Sequence, residues 1–283
     1  MFIRALTGLF LIALFLGAML VDILLKWPVL AGVVGTALIG AAAHEFYVMT
    51  RTGGAAPLTL WGVLAALAAF NFPWMSARWG WSFGWDGLLA ALVLVAFAGI
   101  ARRFGTGKPD AVRDVSITVF GAFYVGVLGG YIVRIHALSP PHGANLVLYF
   151  VAVSKTADIG GYLSGKFFGR RKLAPVISPN KTIEGSIGGL VLSLIAAFVL
   201  IGVLPFERSV PWVVAFAVLV NAASQFGDLA ESMLKRGCGV KDSAVVLPKV
   251  CGALDLIDSI LISAPVAFYM MWPMQDFSKM AAG

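Results

Sequence analysis

About nine runs of roughly 20 mostly apolar residues divide this chain, near residues 5–25, 28–48, 56–76, 83–101, 115–134, 144–165, 183–205, 210–231 and 252–272. A helix of about 20 residues crosses the hydrocarbon core of a bilayer. Lipid offers no partner to an unpaired backbone N–H or C=O, so runs of this kind span as helices. Composition agrees, with 60% hydrophobic and 12% charged residues where soluble domains run nearer one half and one quarter. The predicted fold class is therefore all-α, a polytopic integral membrane protein with about nine transmembrane helices. The joints carry the signals that stop a helix at an interface: Lys26-Trp27-Pro28, Arg51-Thr52-Gly53-Gly54, Phe72-Pro73-Trp74, Ser139-Pro140-Pro141 and Phe206-Glu207-Arg208. The first run follows Arg4 and resembles a signal segment, but is read as an anchor, since eight further runs follow it. No soluble domain, repeat or low-complexity tract is visible.

Orientation follows from the basic residues, because loops rich in Lys and Arg stay cytoplasmic. The N-terminus and alternate loops hold Arg4, Arg51, the group from Arg102 to Arg113, the group from Lys166 to Lys181 and the group from Lys235 to Lys249, fifteen in all. The opposite side holds Lys26, Arg78, Arg134, Arg208 and Lys279, and Lys155 lies within a span. This places the N-terminus in the cytoplasm and reads the net charge of +7 as a topology signal, with no nucleic acid as partner. Cys238 and Cys251 are too few for a disulfide framework and are not spaced as a zinc site; on the cytoplasmic side they are read as unpaired thiols.

The two halves differ. Residues 1–143 read as a scaffold of spans with few ionisable groups inside them, His44 and Glu45 being the exceptions. Residues 144–283 read as the catalytic region, because Lys155, Asp158, Glu184, Asp228, Glu231, Asp255 and Asp258 lie in or at the edge of spans. A charge in a span costs several kcal/mol unless it is paired or faces water, so seven of them mark a polar site.

Three constellations carry the chemistry. The first runs from Asp158 to Leu173, where Gly161, Gly165 and Gly169 recur every four residues and form a smooth stripe for helix packing. Lys155 is one turn before Asp158, close enough to pair. The second is Ser178-Pro179-Asn180-Lys181-Thr182-Ile183-Glu184-Gly185. Its Thr182 is suited to cap a new helix, whose first N–H groups favour anions beside Lys181; Arg170, Arg171 and Lys172 enlarge this phosphate-binding surface. The third contains Gln225-Phe226-Gly227-Asp228, Glu231, Lys235-Arg236, Lys241-Asp242, Leu247-Pro248 and Asp255-Leu256-Ile257-Asp258-Ser259. Asp228, Glu231 and Lys235 share a helix face, and Asp255 and Asp258 repeat the one-turn spacing on the next helix. Paired carboxylates suit a hard cation such as Mg²⁺, which bridges to substrate phosphates. That set is what phosphoryl or nucleotidyl transfer needs; mutually paired helix charges, or an ion pathway, is the alternative.

The third constellation resembles the signature of the phosphatidate cytidylyltransferase (CDP-diacylglycerol synthase) family: Ser232-x-x-Lys235-Arg236, then Lys241-Asp242-x-Ala244, Leu247-Pro248, and the closing Asp255 and Asp258. The first two constellations look like the family's other cytoplasmic-side segments. Two departures fall beside the closing aspartates: Val250-Cys251-Gly252 stands where the family has His-Gly-Gly, and Leu256 where it has Arg. The resemblance implies that CTP and phosphatidate give CDP-diacylglycerol and pyrophosphate in a bacterial inner membrane, with Mg²⁺ or Mn²⁺ as cofactor, room for a monovalent cation, and a homodimeric assembly among membrane lipids. It implies Asp228, Asp255 and Asp258 as metal ligands, and Asp228, Asp255, Asp258, Lys235 and Glu231 as catalytic residues. Lys181, Ser178, Asn180, Thr182, Arg236, Lys241, Asp242 and Lys166 would bind CTP and phosphate, with Asp158 and Glu184 orienting substrate or basic partners. The rival readings are a cytidylyltransferase or CTP-dependent kinase for another membrane lipid, and a non-catalytic lipid-binding or transport relative.

Overall fold

The computed structural model describes residues 30–79, 110–139, 142–205, 208–241 and 252–274, with isolated positions at 17, 21, 92, 96 and 99. The expected spans at 5–25 and 83–101 fall largely outside these residues, as do Asp242, Leu247-Pro248 and Val250-Cys251. The other seven expected spans each correspond to a helix. These are α1 (Leu30–Thr52), α2 (Thr59–Trp79), α3 (Ala111–Ala137), α4 (Gly143–Phe168), α5 (Ile183–Val199), α6 (Val210–Gly237) and α7 (Ala253–Met271). Five of them, α1, α3, α4, α6 and α7, are long and apolar enough to cross a membrane. The chain is thus a helical integral membrane protein.

The all-α membrane class holds, and two details refine it. The span placed at 183–205 ends as an α-helix at Val199 after 17 residues, and Ile201–Val203 form a single 3-10 turn. Beside the helices lies a short two-stranded antiparallel hairpin, β1 (Lys172–Ala174) with β2 (Ser178–Thr182), pairing Lys172 with Thr182 and Ala174 with Ser178. Pro179, which cannot donate to a ladder, is tolerated because each strand has a free edge.

By internal packing the chain divides into two compact units, residues 1–133 with 235–257, and residues 134–234 with 258–283. In the first, Phe46 and Tyr47 of α1 are fully buried against glycines of the neighbouring helices, Tyr47 at Gly62 of α2 and Phe46 at Gly121 of α3. The Tyr47 hydroxyl donates to Thr118 O at 2.6 Å. Buried Asp114 accepts the Ala56 N–H at 2.7 Å, and Thr118 Oγ1 accepts that of Leu58 at 3.0 Å. Both amides precede α2, where no helical partner exists for them. Within α3, Ala122–Val127 form a π-helical turn, and Gly126 there rests on the Ala66 backbone.

In the second unit α4 and α5 pack antiparallel along a glycine seam. A Cβ at Gly160 would lie 2.7 Å from Gly188 O, one at Gly185 2.7 Å from Gly161 O, and one at Gly189 2.7 Å from Ala157 O. The stripe predicted on α4 is therefore matched by small residues on α5, the arrangement that lets backbones approach in lipid. Two polar contacts continue the seam away from the hairpin: Ser193 Oγ donates to Val153 O at 3.2 Å and the Tyr149 hydroxyl to Ala197 O at 3.3 Å.

Candidate active site

The hairpin positions the first group of side chains. It joins α4 to α5 at the glycine-rich end of their seam, and Thr182 closes it by capping α5, its hydroxyl accepting the Gly185 N–H at 3.1 Å. Such a cap contributes about 1 kcal/mol. Glu184, in the first turn of α5, turns its carboxylate onto the preceding loop and accepts the N–H groups of Arg170 at 3.0 Å and Arg171 at 3.1 Å. Its role toward basic partners is thus to hold the backbone of the arginine pair. Arg170, Arg171 and Lys172 remain exposed, as do Lys166 and Asn180, while Ser178 is half-buried. The Lys166 ammonium lies 5.9 Å from the Tyr162 ring centroid and 6.0 Å from that of Phe167.

Lys181 points away from this exposed surface and pairs with Asp228 of α6, Nζ to Oδ2 at 2.8 Å. The Asp228 side chain keeps 37% of its exposure. One turn earlier, Gln225 donates to Ser186 O at 3.2 Å and to Asn221 Oδ1 at 3.1 Å, and the Ser186 hydroxyl donates back to Gln225 Oε1. These bonds fix α6 against α5 and so fix where Asp228 meets Lys181. Gly227 brings α6 equally close to α7: a Cβ there would lie 2.6 Å from Asp258 O.

A second cluster sits on α4 and α7. Lys155 Nζ donates to Asp158 Oδ2 at 3.1 Å and to Ser259 Oγ at 2.9 Å, and Ser259 Oγ donates to the same Asp158 oxygen at 2.9 Å. The Lys155 ammonium also lies in the field of Asp258 and Asp228. Asp258 is buried and accepts the Ser259 N–H through Oδ1. Below them Ser154 donates to Ser224 at 3.3 Å. One lysine thus serves a group of carboxylates, the low-cost way to keep charge in a span. The predicted pairing of Lys155 with Asp158 is present; Lys155, expected only as one of the charges marking a polar site, and Ser259, expected only as part of the third constellation, were given no catalytic or binding role. No sequence spacing links Ser259 to Asp158, 101 positions away.

In the first unit Lys235 Nζ pairs with Asp255 Oδ1 at 2.9 Å, and Asp255 Oδ2 accepts the Gly252 N–H at 3.4 Å. Arg236 and Lys241 are exposed, Arg236 donating to Val240 O at 3.3 Å. Glu231 is fully buried on α6. Leu256, at the position of the family's arginine, is buried too, 8% exposed. Among the described residues, no three His, Cys, Asp or Glu side chains converge as a ready-made metal cage. The recurring motif is instead an aspartate held by a lysine: Asp158 by Lys155, Asp228 by Lys181 and Asp255 by Lys235. In these pairs the ammonium lies 3.1, 2.8 and 2.9 Å from the carboxylate oxygen, respectively.

Several known proteins are similar to this chain. A protein of Haemophilus influenzae named phosphatidate cytidylyltransferase is 38% identical over 189 residues, 65% of each chain. One of the same name from Bacillus subtilis is 34% identical over 186 residues, 65% of this chain and 66% of the relative. A third, from Chlamydia pneumoniae, is 30% identical over 249 residues, 83% of this chain and 80% of the relative. The chain thus spans a little under two thirds of the length of the first two. The model of the cytidylyltransferase family matches residues 2–274, nearly the whole chain with all three lysine–aspartate pairs inside the match, and the chain belongs to that family.

Proposed function

We propose that the chain is a phosphatidate cytidylyltransferase that makes CDP-diacylglycerol from CTP and phosphatidate. The reading includes nine spans in a bacterial inner membrane, a cytoplasmic N-terminus, a site open to the cytoplasm and a homodimeric assembly. The observation that carries it is the pair Lys181–Asp228, where the basic hairpin delivers an ammonium to 2.8 Å from a half-exposed carboxylate at a membrane helix. The names of the relatives support the same substrates.

The reaction asks for little covalent help from the protein. A phosphate oxygen of phosphatidate attacks the α-phosphorus of CTP, a new P–O bond forms, and the bond from that phosphorus to the β-bridging oxygen breaks. Pyrophosphate leaves with the electron pair. The nucleophile is already an anion, so no Ser, Cys or His nucleophile is required. What the protein must supply is orientation and neutralisation of crowded negative charge. Lys181, Arg170, Arg171 and Lys172 take the phosphate oxygens, and Glu184 holds the arginine backbone in place for them. Lys155 keeps Asp158 and Ser259 fixed.

A magnesium ion held here would supply neutralisation of the negative charge on the substrate phosphates. The donor set fits it: Mg²⁺ takes one or two carboxylates plus substrate phosphates and keeps several waters, so it needs no cage. Asp228 and Asp258 would hold it, with Asp255 one turn before Asp258 on α7; Mn²⁺ would use the same oxygens.

The test is pyrophosphate release by the detergent-purified protein with phosphatidate, CTP and Mg²⁺, beside Asp255→Asn. Lipid-dependent release with CDP-diacylglycerol as product, lost in the variant, is the expected result. CDP in place of pyrophosphate would mark a kinase, and phosphatidate binding without turnover a non-catalytic lipid-binding relative.

A further inference from the structure

Glu45 is a carboxylate with no part in the chemistry above, yet it is fully buried about two turns before the end of α1. Ionised groups are not placed there without a partner of matching chemistry. Its Oε2 accepts the N–H of Leu254 at 3.0 Å, across 209 positions of sequence. Leu254 is the second residue of α7.

The start of α7 explains why such a partner is needed. The first N–H groups of a helix have no intrahelical acceptor, and the side chain of the N-cap residue ordinarily takes the N–H two or three residues on. Here the residue before the helix is Gly252, whose carbonyl accepts the first helical bond, from Leu256 N at 3.2 Å. Glycine has no side chain with which to cap. Half of a capping box is nevertheless present: Asp255, three residues on, returns its Oδ2 to the Gly252 N–H at 3.4 Å. The missing half, an oxygen on the N–H of the second helical residue, comes from Glu45. A negative charge at this end also suits the helix dipole. The same helix α1 supports the end of α6. Gly53, just past its C-terminus, lies against Cys238, where a Cβ would come within 3.0 Å of the Cys238 Cα.

We infer that Glu45 is a positioning residue: it completes the N-terminal cap of α7 from a distant helix and thereby fixes Asp255 and the Lys235 ammonium that Asp255 holds at 2.9 Å. The inference rests on the reading of Asp255 as a ligand of the catalytic cation. It assigns to the N-terminal half of the chain a part in cation binding, through a side chain that touches neither cation nor substrate. What the cap requires of position 45 is an acceptor oxygen at that reach, so glutamine should serve and a shorter or apolar side chain should not.

The experiment compares full-length wild type, Glu45→Gln, Glu45→Asp and Glu45→Ala in detergent. Amide hydrogen exchange is read at the start of α7, and the Mg²⁺ concentration for half-maximal pyrophosphate release is read beside the KM for phosphatidate. Glu45→Gln is expected to keep the slow exchange of Leu254 and the wild-type Mg²⁺ requirement to within about twofold. Glu45→Ala should exchange at least tenfold faster there and need several-fold more Mg²⁺, with the KM for phosphatidate unchanged. A merely structural role would lower the active fraction without moving the Mg²⁺ requirement, and that outcome overturns the inference. So does a Glu45→Gln variant that loses activity with exchange intact, since it would mean direct participation. Should the alanine variant fail to fold, Glu45→Asp is read in its place; it keeps the charge, withdraws the acceptor by one methylene and should show the same shift. Wild type that releases no pyrophosphate while Leu254 exchanges slowly, and fast in Glu45→Ala, would defeat the proposed reaction and leave the cap standing.

Discussion

Lys155 shows what a charge inside a span demands of its neighbours. Its side chain is 15% exposed and that of Asp158 34%, and the two share Ser259 as a third member. Removing the ammonium alone leaves Asp158 and the buried Asp258 facing each other without a cation. Breaking a buried pair in this way costs about 3 kcal/mol. Lys155→Met should therefore lower the melting temperature of the purified protein markedly, and Lys155→Met with Asp158→Asn should recover part of the loss. A double-mutant cycle with no coupling between these positions would remove Lys155 from the cluster. At the pair proposed to meet substrate, Lys181→Ala should lower pyrophosphate release by about a hundredfold while leaving melting nearly unchanged, because the Asp228 carboxylate keeps 37% of its exposure and an ion pair with one solvated partner is worth little to stability. The sequence made the pairing of Lys155 with Asp158 legible because helical spacing of three residues is a local rule. It did not make Ser259 or Glu45 legible, because their partners are set by which helices pack, and no local spacing encodes that.

At the scale of elements, the seam between α4 and α5 was half visible. Glycines at 161, 165 and 169 repeat at the helical period and announce a smooth face; which helix fills that face follows only from the short hairpin that turns α4 back on α5. The hairpin itself was concealed by composition, since Arg170-Arg171-Lys172 and Ser178-Pro179 read as a polar loop, and strands of three and five residues carry too little pattern to register. The seam is testable. Gly160→Val places a Cβ 2.7 Å from Gly188 O, and backbone cannot retreat as a flexible side chain can. Overpacking of this kind costs about 2 kcal/mol. The variant should melt lower and lose activity in step, because the hairpin and Lys181 ride on α5. Gly202→Ala, with nothing within 4 Å of the new methyl, is the matched control and should behave as wild type. Equal behaviour of the two variants would show that the seam is loose.

For the whole molecule, the division of basic residues between alternate loops predicts which ends of the helices share a compartment, and the hairpin is the place to test it. Val176 is 90% exposed at the hairpin turn, among Lys166, Arg170, Arg171 and Lys172 on one side and Lys181 on the other. Moving such a loop across a bilayer is opposed by its charge, so the proposed orientation puts it on the cytoplasmic side. α5 then runs from Ile183 away from that face, and Gly202, just beyond its C-terminal end, belongs on the opposite side. With Cys238 and Cys251 replaced by serine, a single cysteine at each position reports its compartment. Val176→Cys should react with a membrane-impermeant maleimide in inverted vesicles and be silent in intact spheroplasts, and Gly202→Cys should show the reverse. Labelling of both from one side would mean that α5, at 17 residues, does not cross. The nine-span reading would then fail, and the basic hairpin would lose the argument that sets it facing the pool of soluble nucleotide.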